Sequence, residues 1–585
     1  MRVIDSRRLT GPSLLLDAPG AILDLQLDDR VRDRAIVAWR EAAERLLEQV
    51  GWPGQRLATR IFTGGASLAF TAPPDALYAA TEVNEAAWAA AWAKVDAQRP
   101  EREEIVAAGL RQAIADERNP ALMALREAAR ARQLTFLAGE GLVSVGSGGW
   151  SQVWPSTELP RAESIDWRHV HDIPVALVTG SNGKTTVVRL LAAIASAAEY
   201  AAGITSTDGV SVKGVSLAEG DYSGPSGARL LLRRRDVQLA VLETARGGLL
   251  RRGLSVDRAA VAVVTNVADD HLGEFGIQDL DALADVKMLV TRALRPGAAA
   301  VLNGDDPRVR ARGERLGAPV VWFTLEPDAP WLVRHLKAGG RAAVYADRAL
   351  VLAEGSRRTT VARVEDVPIA VGGAARHNVA NALAAAGAAA ALGLPVDAIT
   401  RGLARFGGAD EENVGRANVM ELGGVQVVVD YAHNPHGMAA LAEMVAAMPA
   451  RRRLVLLGQA GDRSDGSIRE LARAALALRP DRIVLKEMDR YLRGRRPGEV
   501  TELMADELLS AGVPPQAISR PGDELAAVRD ALAWARPGDV LLLTVHQDRP
   551  VVLALLERLR GEKWSAGTAV DADGRTARPS DRPAV

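Results

Sequence analysis

The stretch Thr179-Gly180-Ser181-Asn182-Gly183-Lys184-Thr185-Thr186 has the residue types of a phosphate-binding loop. Its glycines let backbone N–H groups turn toward phosphate oxygens, a helix opening behind them adds a positive dipole end, and Lys184 supplies a mobile cation for the β/γ-phosphates. Thr185 is then placed to ligate Mg²⁺. The spacing departs from G-x-x-x-x-G-K-[ST], because Val178 stands where the first glycine would be. Two further groups follow apolar runs: Glu243, in Leu242-Glu243-Thr244-Ala245-Arg246-Gly247-Gly248, and His271, closing Thr265-Asn266-Val267-Ala268-Asp269-Asp270-His271. Placed on adjacent strand ends, they could hold Mg²⁺ beside the loop or satisfy one another as a hydrogen-bonded pair. His377, His433 and His436 also sit in short polar clusters.

Strand ends must position these groups. From residue 172 a pattern repeats, with a β-branched run, then Gly, Asn or Asp, then an Ala/Leu helical stretch, which predicts α/β units around a parallel sheet. The clearest runs are 174–178, 238–242, 259–264 and 298–302, and a second set, 425–429, 453–457, 482–485 and 539–543, predicts a smaller α/β domain. Residues 1–165 have Ala, Arg and Glu at helical spacing and no phosphate loop beyond the weak Gly146-x-Gly148-Gly149, which also reads as a turn. The expected division is an N-terminal α+β domain over 1–165, a central ATP-binding domain over 166–408, a C-terminal domain over 409–564 and a disordered tail over 565–585.

Composition excludes several classes. The 585 residues carry 72 Lys+Arg against 73 Asp+Glu, net −1, without the basic excess of a nucleic-acid-coating protein. With no cysteine, thiolate metal sites, iron–sulfur clusters and a Cys nucleophile are impossible, so any metal is held by oxygen or imidazole. No segment has the length of a membrane span; the Ala/Leu-rich 381–396 reads as a buried helix, and the chain reads as cytoplasmic.

Five motifs in order resemble the Mur ligase family of ATP-dependent amide ligases: the loop 179–186, Glu243, Asn266 through His271, His377-Asn378-x-x-Asn381, and Asp430-Tyr431-Ala432-His433-Asn434-Pro435. The resemblance covers roughly residues 172–560. It implies that Gly180, Ser181, Asn182, Gly183, Lys184, Thr185 and Thr186 bind the ATP phosphates, and that Thr185, Glu243 and His271 hold Mg²⁺. Asn378 and Asn381 would face the adenine, Asp430 the ribose, and Arg416 the γ-phosphate. Lys287 stands where many members carry a carbamylated lysine on a second Mg²⁺, although an ordinary surface lysine fits the same position.

Within the family, Thr205-Ser206-Thr207-Asp208-Gly209, Gly461-Asp462-Arg463 and Arg493-Gly494-Arg495-Arg496-Pro497-Gly498-Glu499 most resemble the ligase half of cyanophycin synthetases. So do Leu9-Thr10-Gly11-Pro12 and residues 128–149, which resemble their N-terminal region and the approach to an ATP-grasp domain. That domain, of ~200 residues or more, is missing between Gly149 and residue 172. The resemblance implies an ADP-forming ligase that activates an acceptor carboxylate as an acyl phosphate and joins it to an amino-acid amine. Expected partners are amino acids and carboxylate-bearing peptides or polymers, with a homo-oligomer or a cyanophycin synthetase-like enzyme as protein partner, and neither nucleic acid nor membrane. Amine deprotonation would be assisted by His433 or Asp430, or else by substrate or water. The arginines of 233–235, 451–453 and 493–496 would either bind carboxylates or form solvated faces. Two other readings stay open: a non-catalytic or regulatory partner of such an enzyme, and a simple P-loop kinase or ATPase, which leaves the clusters at 377–381 and 430–435 unexplained.

Overall fold

Strand Val175–Thr179 is an unbroken apolar run because both its faces are covered. Val175 and Leu177 enter one core, while Ala176 and Val178 enter another, the alternation a pleated strand imposes. Strands Leu239–Glu243, Ala259–Val264 and Leu294–Asn303 divide their side chains in the same way. Sheets covered on both faces are built from parallel strands joined by helices.

The structure, a computed structural model, describes residues 1–97, 103–269, 272–407 and 418–571. Among these, the largest sheet has eleven strands. Their order is Val215–Glu219, Gly209–Val212, Ala202–Ser206, Leu239–Glu243, Val175–Thr179, Ala259–Val264, Leu294–Asn303, Val320–Thr324, Arg341–Ala346, Ala349–Glu354 and Arg357–Arg363. Neighbours are parallel from Ala202–Ser206 to Arg341–Ala346, and the pairs at both edges are antiparallel. Helices Lys184–Ala197, Arg376–Ala391 and Val396–Arg405 cover one face. They approach closely through small residues, since a Cβ on Gly402 would lie 2.5 Å from Ile194 Cα. The stretch 381–396 is thus divided between two of these helices. No helix among the described residues is long and apolar enough to cross a membrane.

A second sheet has the order Asn418–Leu422, Val425–Asp430, Val540–Thr544, Arg453–Leu457, Arg482–Lys486 and Ile518–Gly522, parallel except for its first hairpin. Its core corrects the boundary of the disordered tail. Trp564 and Val570 are buried in it, and Trp564 Nε1 donates to Thr568 O at 3.0 Å, so packing of these apolar side chains keeps the chain ordered past residue 565. Residues 572–585 lie outside the described residues.

The N-terminal sheet, Arg2–Leu9, Gly20–Gln26, Gly65–Thr71 and Leu57–Phe62, is antiparallel, and helices Asp29–Gln49, Leu77–Val95 and Glu103–Glu117 bury a shared core with it. Together the three sheets give the expected α/β class with an N-terminal α+β region. A small sheet, Phe136–Gly139, Leu142–Val145 and Gln152–Pro155, follows. Here Gly146-x-Gly148-Gly149 is a docking turn. Gly149 N donates to Val237 O at 2.9 Å, and a Cβ on Gly148, at φ +61°, would stand 2.5 Å from that same oxygen.

Candidate active site

Strand Val175–Thr179 hands the chain directly to the glycine loop, and helix Lys184–Ala197 opens immediately after it. The loop is too tight for side chains at two positions. A Cβ on Gly180, at φ +150°, would lie 1.7 Å from Thr265 Oγ1, and one on Gly183, at φ +83°, 2.2 Å from Asn381 Oδ1. The neighbouring strand end braces the turn. Asn266 O accepts from Ser181 N at 2.9 Å, Asn266 Oδ1 accepts from Asn182 N at 2.9 Å, and Thr265 Oγ1 donates to Asn182 O at 2.6 Å. The amides of Ser181 and Asn182 are therefore committed to Asn266. The donors that face an anion are those of the helix start from Gly183 onward, where helix geometry supplies no internal acceptor. Lys184 Nζ rests on Ser181 O at 3.1 Å, at the loop's mouth.

Thr185 Oγ1 donates to Glu243 Oε2 at 2.8 Å, which brings two of the three expected Mg²⁺ ligands side by side. Glu243 is only 2% exposed, and a buried carboxylate beside a hydroxyl is the hard-oxygen chemistry that Mg²⁺ takes. No group of three or more Asp, Glu and His side chains lies within metal-binding reach among the described residues. Mg²⁺ would accordingly be held by these two protein oxygens together with substrate oxygens and water, its common habit at phosphate sites. His271 and Arg416 lie outside the described residues.

Lys287, on helix Leu280–Met288, is 1% exposed and lines the same cleft, which overturns the surface-lysine alternative. Asn378 and Asn381 occupy successive turns of helix Arg376–Ala391. Asn378 Nδ2 donates to Ile369 O at 2.9 Å, and Asn381 Nδ2 to Asn378 Oδ1 at 3.2 Å. This chain of amides puts Asn381 against Gly183. Asp430 ends strand Val425–Asp430, across the cleft. The described candidate residues all line one cavity of about 1340 Å³.

The cleft closes through contacts that the motifs did not announce. Asn182 and Asn434 exchange side-chain amides, with Asn434 Nδ2 donating to Asn182 Oδ1 at 2.9 Å and Asn182 Nδ2 to Asn434 Oδ1 at 3.3 Å. Farther out, Asp208 accepts from Arg189 at 2.9 Å and from Arg549 at 2.5 Å, joining the two α/β sheets' domains by one carboxylate. Of the three arginine groups, two serve the fold: Arg233 grips Leu142 O at 3.0 Å, and Arg453 holds Met448 O at 2.9 Å. In the third, Arg495 pairs with Asp465 and Glu499, while Arg493 lines the cleft beside Asp462.

Two histidines of the cleft, His377 and His436, are pushed toward the neutral form. Burial pushes His377 down to about 4 and His436 below its ordinary value, and His377 Nδ1 has no hydrogen-bond partner among the described residues. Because the folded value for His377 lies below the ordinary 6.5, its contribution to stability is complete above pH 6.5 and is lost as the pH falls toward 4. Native protein should therefore lose on the order of 2 kcal/mol more stability between pH 7 and pH 5 than His377→Gln, read from urea unfolding midpoints. Equal losses in both would show that His377 ionises freely.

The Mur ligase middle domain matches residues 178–389, and the Mur ligase glutamate ligase domain matches residues 415–544. Among curated proteins, the cyanophycin synthetase of Synechocystis sp. is 40% identical over 397 residues, covering 67% of this chain and 45% of its own length. The UDP-N-acetylmuramoyl-L-alanyl-D-glutamate–2,6-diaminopimelate ligase of Geobacter metallireducens is 28% identical over 405 residues, covering 65% of this chain and 75% of its own. Among solved structures, E. coli FolC in complex with ADP aligns at 21% identity and a TM-score of 0.49 over 66% of this chain and 90% of that one. The chain matches less than half the length of the cyanophycin synthetases it resembles.

Proposed function

Since the chain belongs to the Mur ligase family through residues 178–389 and 415–544, we propose that it is an ADP-forming ligase joining an acceptor carboxylate to an amino-acid amine. The observation that carries this reading is the convergence of the Lys184 loop, the Thr185–Glu243 pair, Asn381 and Asp430 on one cleft between two α/β sheets. A carboxylate oxygen attacks the γ-phosphate of ATP in line, ADP leaves, and the acyl phosphate is then attacked by the amine, releasing phosphate. Such transfers need positioning and charge neutralisation more than a protein nucleophile.

The helix start and Lys184 hold the phosphates, and Asn266 keeps the loop in shape to receive them. Mg²⁺, when bound at Thr185 and Glu243, neutralises charge on the transferring group. By their motifs, Asn378 and Asn381 are assigned to the adenine side of the nucleotide, Asp430 to the ribose and Arg416 to the γ-phosphate. His271 is assigned to the metal by its motif. Arg251 and Arg252 line the cleft beside the ion-paired Arg246, Arg308 and Arg493, and bidentate pairing by such guanidinium groups supports a carboxylate-bearing acceptor, a peptide or polymer. Between Pro155 and Val175 the chain makes two short 3₁₀ turns, so no second ATP-binding domain intervenes, and only the Mur-type reaction is proposed. Amine-dependent ADP release across amino acids and Asp-rich primers, with products identified by mass, tests the proposal. Primer binding without turnover would instead favour the regulatory reading.

Lys287 would carry a carbamate formed with CO₂. Lys287 is buried where it lines the cleft, and a carbamate there would supply an anionic oxygen to a second Mg²⁺. Lys287→Ala should lose about 10²-fold or more in turnover and regain part of it with millimolar acetate or formate, which restore a carboxylate in the vacated space. Loss without any rescue would leave Lys287 a packing residue.

A further inference from the structure

Behind loop 430–434 lies a buried cluster that the proposed chemistry does not use. Lys486 ends strand Arg482–Lys486 and is 0% exposed. Its Nζ meets Glu524 Oε2, Thr544 O at 2.5 Å and His546 Nδ1 at 2.9 Å. An ammonium has three N–H donors and no acceptor, so all three neighbours must accept. His546 Nδ1 is then unprotonated, the proton of the neutral ring sits on Nε2, and Nε2 donates to Ala432 O at 3.0 Å. Tyr431 packs edge-on against the same ring, with centroids 4.9 Å apart. Two residues on, Asn434 exchanges amides with Asn182 of the phosphate loop.

We propose that Lys486 is a positioning residue: by donating to His546 Nδ1 it fixes the imidazole tautomer that anchors loop 430–434 against the phosphate loop. Loss of the Lys486 proton frees a lone pair toward His546. The ring proton then moves to Nδ1, and Nε2 turns a lone pair toward the Ala432 carbonyl, which releases the anchor.

The charged and titratable groups around this pair are Glu524, which also accepts from the His546 and Asp548 amides at 2.8 Å, Asp548 with its partner Arg490, and Tyr431 and His433 on the loop. Arg549 lies 5.7 Å from the Tyr431 ring. Burial lowers Lys486 to about 8, against the opposing pull of Glu524 and Asp548. The folded value lies below the ordinary 10.5, so this group's contribution to stability rises with pH from about 8 to 10.5. Turnover should fall with a midpoint near pH 8 while that contribution to stability rises, a divergence that a merely structural lysine would not produce.

In its effect on turnover the inference rests on the ligase reading; in its effect on the imidazole it does not. The test uses full-length protein with ¹⁵N-labelled histidine, in which His546→Gln identifies the His546 signals. The expected result is Nε2–H at pH 7, a change of tautomer with a midpoint near pH 8, and no such step in Lys486→Met. Amine-dependent ADP formation should show an alkaline decline with the same midpoint. His546→Gln, whose amide keeps an N–H in the place of Nε2, should be slower but lack that decline. Nδ1–H or a doubly protonated ring at pH 7, or a native-like alkaline decline in His546→Gln, overturns the proposal. Should Lys486→Met fail to fold, the native spectrum and His546→Gln still decide. Should native protein release no ADP, the ligase reading fails while the tautomer measurement still decides the anchoring.

Discussion

Lys184→Ala lowers amine-dependent ADP formation by about 10²–10⁴-fold without unfolding the protein. The side chain is half-buried at the mouth of the loop and donates to Ser181 O at 3.1 Å, so its removal opens no core. What is lost is a cation able to follow the γ-phosphoryl group as its charge redistributes. The helix dipole and the amides from Gly183 onward remain, so nucleotide binding weakens less than turnover does. Lys184→Arg should not rescue, because a planar fork on a longer stem cannot occupy the point position of an ammonium between loop and phosphate. Native ADP formation in Lys184→Ala would refute the phosphate-loop assignment.

Glu243→Gln produces the second large effect, a loss on the order of 10²–10³-fold with a raised Mg²⁺ requirement. Glutamine keeps the shape of the side chain and a partner for Thr185, yet removes the buried negative charge that a hard cation needs. Thr185→Ser retains the hydroxyl and should stay within about tenfold of native, whereas Thr185→Val should resemble Glu243→Gln. ADP formation titrated with Mg²⁺ reads the difference. Superimposable titrations for native and Glu243→Gln would remove Glu243 from the metal site.

The strands that carry the chemistry were legible because each is covered on both faces and so reads as a continuous apolar run ending in polar residues. Runs 174–178, 238–242 and 259–264 appear within a residue of their expected positions. The antiparallel edge strands, such as Arg357–Arg363, escaped notice because one face meets solvent and their charged residues imitate a loop. The site was legible where one short segment holds it, as in the loop 179–186. It was illegible where contacts join distant segments: nothing in sequence marks Asn182 and Asn434 as partners, or Asp208 as shared by Arg189 and Arg549. Lys486 left one faint sign, a cation closing an apolar run just ahead of the arginine-rich motif at 493–496.

Oxygen transfer tests the central claim most directly. An acceptor whose carboxylate carries ¹⁸O is turned over with ATP and an amine, and the released phosphate is analysed by mass. In-line attack on the γ-phosphate followed by aminolysis predicts one ¹⁸O in phosphate for every amide formed, with unlabelled ADP. Phosphate free of ¹⁸O, or label recovered in AMP, would contradict activation through an acyl phosphate in this cleft.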